Sequence, residues 1–383
     1  MGNHLKILIT TSPGLEQELQ KELLELCGKT ASFRPQGPLE LEVDINELCL
    51  ILAGSFLASR VLYPVAEFHA WEEEVLFKEI YAIDWQNFFD KSYKGMDTFR
   101  IDAHGRTGGC DYTVQQALLK SKDALVDKLR DQWGERPDVD KENPSQHIEM
   151  FFSDGKVEVS LDLSKEPLHR RGYRAQLIGE APLRESRAAC MVRMSEALLT
   201  MPAKIYDPFC GGGTILIEAA MMLRKIPPAL LRAVPNWKFI PGLADSYRKT
   251  VADLKARALP SSPIPLLGSD ISKGALIRSR AAAERVGVKT DIILEHKSFQ
   301  DQEIGEGVMI SNPPFGERLG DELDAQLLLS EIGKKAKFKT QLSSMTLLLP
   351  TEYETAAGLR PTRKLRWKAG PLALSAVKYD LRR

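Results

Sequence analysis

Cysteine is scarce and unpatterned in this chain. Cys27, Cys49, Cys110, Cys190 and Cys210 are odd in number, scattered, and include no C-x-x-C pair. That argues against a disulfide framework or a structural zinc site and fits a reducing compartment. No metal is expected. Long apolar runs are missing as well, since none approaches the ~18 residues of a membrane span. The opening MGNHLKILITTSPG has no secretory apolar stretch with a cleavage site, so a cytoplasmic protein without a membrane partner is expected. Neither sign of charge is in excess. Lys plus Arg and Asp plus Glu both number 52, which excludes a uniformly basic nucleic-acid coat but not a basic face. Repeats and low-complexity tracts are absent too. With 43% hydrophobic and 27% charged residues, the chain is an ordinary globular protein. Its 383 residues make two or three domains at ~100–200 residues each.

Periodicity divides the chain. LKILIT at 5–10 reads as a strand, LEQELQKELLELCG as a helix stopped by Gly28, and LELEVDI at 39–45 as a half-buried strand. INELCLILAGSFLASRVLYPV then reads as a helix. This unit, 1–65, is a small α+β fold. A second unit, 66–165, has a helical FKEIYAIDWQNFF, a strand TFRIDAHG, and a long amphipathic helix closed by Gly134. It ends in two strands joined by Asp154-Gly155, a strong hairpin signal. From 166 to 383 strands and helices alternate: KIYDPF, PLLGSD, DIILEH, GVMISNPP and SMTLLLP are each strand-like. That pattern argues for a doubly wound, mostly parallel sheet. The Pro-rich excursion 225–265 is too long for an ordinary connection, so it should carry its own helix or pack over the sheet edge.

Three motifs carry chemistry. Asp207-Pro208-Phe209-Cys210-Gly211-Gly212-Gly213-Thr214 follows one strand and opens a helix. Glycines there permit a tight turn and close ligand approach, and the helix start offers unpaired N–H groups to an anion. No Lys follows, so it is not a P-loop; a purely structural turn is the plainer alternative. Asp270 ends the next strand, where an acid typically bonds a ribose hydroxyl; a helix N-cap is its alternative. Ser311-Asn312-Pro313-Pro314-Phe315-Gly316-Glu317-Arg318 ends a third strand. Two prolines stiffen the backbone and remove two donors, leaving the Asn312 side-chain oxygen and a nearby carbonyl as acceptors for an exocyclic –NH2. Phe315 offers a face for a base to stack on.

DPFCGGGT followed by NPPF resembles the motifs of class I S-adenosylmethionine-dependent amino-methyltransferases. NPPFGERL, with LHRRGYR at 168–174 and APLRESRAA at 181–189, is similar to the THUMP-containing RNA guanine-N2 methyltransferases. Within them it most resembles the bacterial type acting on 23S ribosomal RNA, with the tRNA enzymes second. The resemblance spans nearly the whole chain. It implies a ferredoxin-like start (1–65), an RNA-binding THUMP domain (66–165) and a Rossmann-like catalytic domain (166–383).

The resemblance also implies roles. S-adenosylmethionine would be held by Asp207, Phe209, Cys210, Gly211, Gly213, Thr214 and Ile271, with Asp270 at the ribose and Ser298 and Phe299 at the adenine. Asn312 would border both cofactor and base. Asn312, Pro313, Pro314 and Phe315 would be catalytic, with Phe standing where Tyr is common. Acceptors at Asn312 and the Pro313 carbonyl would draw the guanine amine toward tetrahedral geometry, so no strong general base is needed. RNA, as 23S rRNA or a precursor particle, would be met by Arg170, Arg171, Arg174 and Arg318. The last 50 residues add 12 Lys/Arg against 3 Asp/Glu, although a solvated face explains them equally well. A monomer is favoured. DNA adenine-N6 or protein glutamine-N5 methylation is the rival chemistry, and a non-catalytic RNA-binding factor the rival class.

Overall fold

The alternation in LELEV puts Leu39, Leu41 and Val43 on one side of a strand and Glu40 and Glu42 on the other. The fold uses it that way, burying the three aliphatic residues. In the computed structural model, residues 4–34, 37–92, 95–174, 183–234, 237–315, 322–369 and 372–381 are described. The first half runs β1 (Leu5–Thr11), α1 (Glu16–Cys27), β2 (Ser32–Phe33), β3 (Leu39–Val43), α2 (Ile45–Gly54), β4 (Ala58–His69) and α3 (Glu73–Ala82). A ribbon of β5 (Lys91–Ser92) and β6 (Gly95–Met96) follows. Then come β7 (Phe99–Arg106), α4 (Val114–Trp133), β8 (Gln146–Ser153) and β9 (Lys156–Asp162).

Seven of these strands form one sheet in the order β2-β3-β1-β4-β9-β8-β7. The expected hairpin joins β8 to β9, with Asp154 and Gly155 both at positive φ (48° and 88°) as a tight two-residue turn demands. The helix expected across residues 45–65 is shorter than read. It is started by an Asp44–Glu47 capping box and stops at Gly54; Ala58–His69 is a strand. Pro64 cannot sit inside a helix without losing a hydrogen bond, and it is accommodated here where the β4–β9 register shifts. The unit boundary expected near residue 65 thus falls within a strand that pairs β1 on one edge and β9 on the other.

The second half runs α5 (Glu185–Met194), α6 (Ala197–Thr200), β10 (Ile205–Asp207), α7 (Thr214–Leu223), α8 (Leu243–Ala256), β11 (Leu266–Asp270) and α9 (Lys273–Arg285). It continues with β12 (Ile292–His296), β13 (Glu306–Ser311), α10 (Glu322–Phe338), β14 (Gln341–Pro350), β15 (Arg363–Ala369) and β16 (Leu372–Asp380). The sheet order is β12-β11-β10-β13-β14-β16-β15. The five strands expected from the alternation are parallel, and an antiparallel hairpin extends one edge. Strand order reverses at β10, which opens a crevice at the carboxyl ends of β10, β11 and β13. No helix among the described residues is long and apolar enough to cross a membrane.

One core spans both halves: Leu19 and Leu52 belong to the same buried cluster as Leu216, Met221 and Leu266. The 225–265 excursion helps join them. It carries α8, as expected, but α8 packs on α2 rather than over the sheet edge. The Trp237 indole donates to the Leu163 carbonyl at 2.9 Å. Arg171, expected to meet RNA, corrects that reading. It is 1% exposed, donates to the Phe56 carbonyl at 2.6 Å, and pairs with buried Glu218 at 3.2 Å. Tyr173 adds a hydroxyl bond to Glu218 at 2.9 Å. Part of the basic tail is paired within the chain: exposed Lys364 and Arg366 hold Glu354 at 2.6 Å, and buried Lys378 holds Glu196 at 2.6 Å.

Removing one partner of a buried pair strands the other charge. Arg171→Ala is therefore expected to lower the unfolding free energy by about 3–5 kcal/mol. Urea denaturation would measure it, and a loss under about 1 kcal/mol would show the tie to be incidental.

Candidate active site

The loop after β10 turns into α7 through three glycines. Gly213 sits at φ +77°, and a Cβ there would lie 2.1 Å from Ser279 Oγ on α9, so only glycine lets α7 start this close. The loops after β10 and β11 are tied together by Asp270. Its Oδ2 accepts the Gly211 amide at 2.9 Å and its Oδ1 the Ser272 amide at 2.8 Å. Ser272, not Asp270, is the N-cap of α9.

A cavity of about 470 Å³ lies over these strand ends. Asp207, Phe209, Cys210, Gly211, Thr214, Asp270, Ile271, Phe299 and Asn312 all line it, so most of the residues expected at a cofactor do converge. Gly213 sets the turn behind them. Ser298 does not line the cavity; its hydroxyl donates to Asp301 at 2.6 Å in an exposed turn. Phe299 and Gln300 take that edge instead, and the Phe299 ring stacks on Phe209 with centroids 5.3 Å apart. Ile271 is 74% exposed at the rim, an apolar surface suited to a flat ring.

Asp207 is buried at the floor. Its Oδ1 accepts the Ser311 hydroxyl at 2.5 Å and the Phe209 amide at 3.3 Å. Burial, with the charge of Asp270 adding to it, pushes its pKa up to about 7 against the opposing Ser311 bond. Burial likewise holds the Cys210 thiol far above its ordinary range, so it is no nucleophile. Beside Ser311, the Asn312 Oδ1 is buried without a hydrogen-bond partner among the described residues. Such an acceptor is costly unless a ligand donates to it. Pro313 is buried, Pro314 lines the cavity, and Phe315 is half-buried against the main core.

Of the arginines assigned to RNA, Arg170 is exposed, and Arg318 lies outside the described residues. Arg174 instead reaches the cavity wall, donating to Thr214 Oγ1 at 2.5 Å and the Leu183 carbonyl at 2.6 Å. Leu183, Arg278, Gln300 and Leu328 also line the cavity and were not foreseen. Arg278 had a signal, since Ala275 and Arg278 share one face of the helix that follows Asp270. A second grouping, also unforeseen, lies on the first sheet. His147 sits between Asp102 (2.9 Å) and Asp162 (3.3 Å), near Glu149. Arg60 and Arg100 share those carboxylates, so the grouping reads as a buried ion-pair network.

The comparisons with known proteins agree with this geometry. Residues 171–376 match the model of the family described as UPF0020, RMKL-like, methyltransferase domain. The chain belongs to that family. Residues 71–162 match the THUMP domain, which places the UPF0020 domain after a THUMP domain in one chain. Curated relatives include the "Ribosomal RNA large subunit methyltransferase K/L" of Psychromonas ingrahamii, 34% identical over 98% of this chain and 50% of that protein. The same-named protein of Shewanella frigidimarina is 35% identical over 96% and 52%. The chain thus spans about half the length of the curated relatives it matches. Among solved structures, SMU.472, described as a methyltransferase and solved in complex with SAH, superposes over 100% of both chains with TM-score 0.86 and 26% identity. TrmN from Thermus thermophilus shares the fold, covering 98% of this chain and 99% of its own (TM-score 0.68, 19% identity).

Asp207 makes a pH prediction. Folded, it keeps its proton to about pH 7; unfolded, it loses it near 3.8. Between those values the folded state binds the extra proton, so this group's contribution to stability falls as pH rises and levels off above. Asp207→Asn removes that slope. Its stability relative to the parent should rise across the window by at most about 1.4 kcal/mol per pH unit. Urea unfolding of both proteins from pH 4.5 to 7.5 would read this, and parallel pH curves would contradict the assignment.

Proposed function

We propose that this chain is an S-adenosylmethionine-dependent RNA methyltransferase that acts on the exocyclic N2 amine of a guanine, in 23S ribosomal RNA or a precursor particle. The observation that carries the reading is the buried, unpartnered Asn312 Oδ1, beside two prolines at the edge of a cavity floored by Asp207. An acceptor held without a donor suits an incoming –NH2 group. The residues present also fit the cofactor: a buried acid for its ammonium, Asp270 for its ribose, and Ile271 and Phe299 for its adenine. When bound, the cofactor supplies an activated methyl group.

The chain's own residues supply position. Asn312 Oδ1 and the Pro313 carbonyl accept the two N–H bonds of the amine and draw it toward tetrahedral geometry, which frees its lone pair. Holding the amine in line accounts for much of the rate. Phe315 stacks on the extruded base and offsets the few kcal/mol of leaving the helix by about 1–3 kcal/mol. A proton released to water afterwards needs no dedicated base. The UPF0020 membership, the THUMP match and the rRNA methyltransferase relatives support RNA as the substrate class. Exposed Arg170, together with Arg318, is assigned to its phosphates.

The test is methyl transfer from labelled S-adenosylmethionine to total RNA from a strain lacking the gene, with nucleoside analysis. Label in N2-methylguanosine of the large ribosomal RNA is expected. The same nucleoside in tRNA would move the substrate, and label only in DNA adenine or protein would overturn the reading. Within this scheme Asn312→Ala should lower single-turnover transfer by about 10³-fold or more, the scale of losing a transition-state hydrogen bond. Cofactor affinity should change less than about threefold, under 1 kcal/mol. A large loss of cofactor binding in that variant would show that Asn312 serves the cofactor and not the base.

A further inference from the structure

Two arginines at the junction of the halves have no counter-charge. Arg170 and Arg184 are exposed, and neither side chain makes an ion pair or hydrogen bond among the described residues. The arginines around them are engaged: Arg171 with Glu218, Arg174 with Leu183 and Thr214, and Arg60 with Asp162 and Glu149. Both free guanidiniums lie close enough to His169 to act on its charge. Like charges gathered at one spot disfavour one another, and an anion among them relieves the repulsion.

His169 completes the set as a neutral donor. Burial, then Arg184, Arg171, Arg170 and Arg60, push its pKa down to about 3, so the imidazole carries one N–H. Its Nδ1 is buried without a partner. Nε2 is not buried and makes no hydrogen bond among the described residues, so it is the ring atom that faces a ligand. Guanidinium forks match the oxygens of a phosphate, and a neutral N–H beside them adds a third donor. Position says whose phosphate this is. Arg184 follows Leu183, which lines the cavity, and the Leu183 carbonyl accepts a bond from Arg174 on the Arg170 segment. The set therefore stands at the rim of the cavity.

We propose that Arg170, Arg184 and His169 Nε2 hold one backbone phosphate of the RNA, beside the nucleotide whose base enters the cavity. This rests on the RNA reading given above. A phosphate contact carries no sequence information but fixes register. Here it sets which base reaches the cavity, while buried Arg171 holds the segment in place.

The test is filter binding of the full chain to in vitro transcribed 23S rRNA and to tRNA, from about 50 to 200 mM KCl. Calorimetric titration with S-adenosylhomocysteine runs alongside. Arg184→Gln should weaken RNA binding about tenfold, the low end for a lost bond to a charged group. The double variant Arg170→Gln, Arg184→Gln should make the slope of log K against log salt shallower by about 0.7–0.9, the share of one phosphate. His169→Leu should weaken RNA about 3- to 10-fold with the slope unchanged, because the lost donor is neutral. His169→Gln, whose amide reaches the place of Nε2, should restore that affinity. S-adenosylhomocysteine affinity should stay within about twofold in every variant, which also shows that each has folded. An unchanged slope in the double variant would overturn the subsite. So would a loss worth two phosphates, which would seat the arginines apart. A parent protein that holds neither RNA would overturn the RNA reading on which the subsite rests.

Discussion

The Ser311 hydroxyl bonded to the Asp207 carboxylate is the contact on which the site depends. Asp207 ends β10 and Ser311 ends the neighbouring parallel strand β13, so one buried bond of 2.5 Å fixes two loops at once. On one side it sets the start of the glycine turn, which the Gly211–Asp270 bond then ties to β11. On the other it sets Asn312, the next residue, whose buried oxygen awaits a donor. A buried carboxylate with few partners is costly. The fold tolerates it because Asp207 can hold a proton up to about pH 7, and an ammonium at the site would favour the charged form.

That local device works only if the first half of the chain is held in a fixed relation to it. The structure does so with a core shared between the halves. Arg171 reaches from the Phe56 carbonyl to Glu218 on α7, the helix that the glycine turn begins. The same segment, Arg170 to Arg174, thus offers an exposed cation, a buried tie and a cavity-wall donor within five residues.

Much of this was legible in the sequence where one face or one motif decides the outcome. Strand–helix alternation after residue 200 gave the five parallel strands, because the inner ones, β10, β13 and β14, are buried on both faces and read as short apolar runs. The glycine turn, Asp270 and the Asn-Pro-Pro-Phe segment could be placed at strand ends for the same reason. What failed depended on partners distant in the chain. Residues 58–65 looked helical, yet they belong to a strand paired on both edges. Arg171 looked like surface, yet its carboxylate, Glu218, comes from another element. Ser298 was placed by analogy of position, whereas its hydroxyl closes a local turn with Asp301.

The most direct test of the account is Ser311→Ala, assayed at pH 7 for both S-adenosylhomocysteine affinity and single-turnover methyl transfer. Without its hydroxyl donor, Asp207 should hold its proton more tightly and Asn312 should lose its anchor. Affinity should fall about tenfold or more, the scale of a hydrogen bond to a charged group, and transfer should fall further still. If the folded variant kept both within about twofold, the Asp207–Ser311 bond would not be what organises the site.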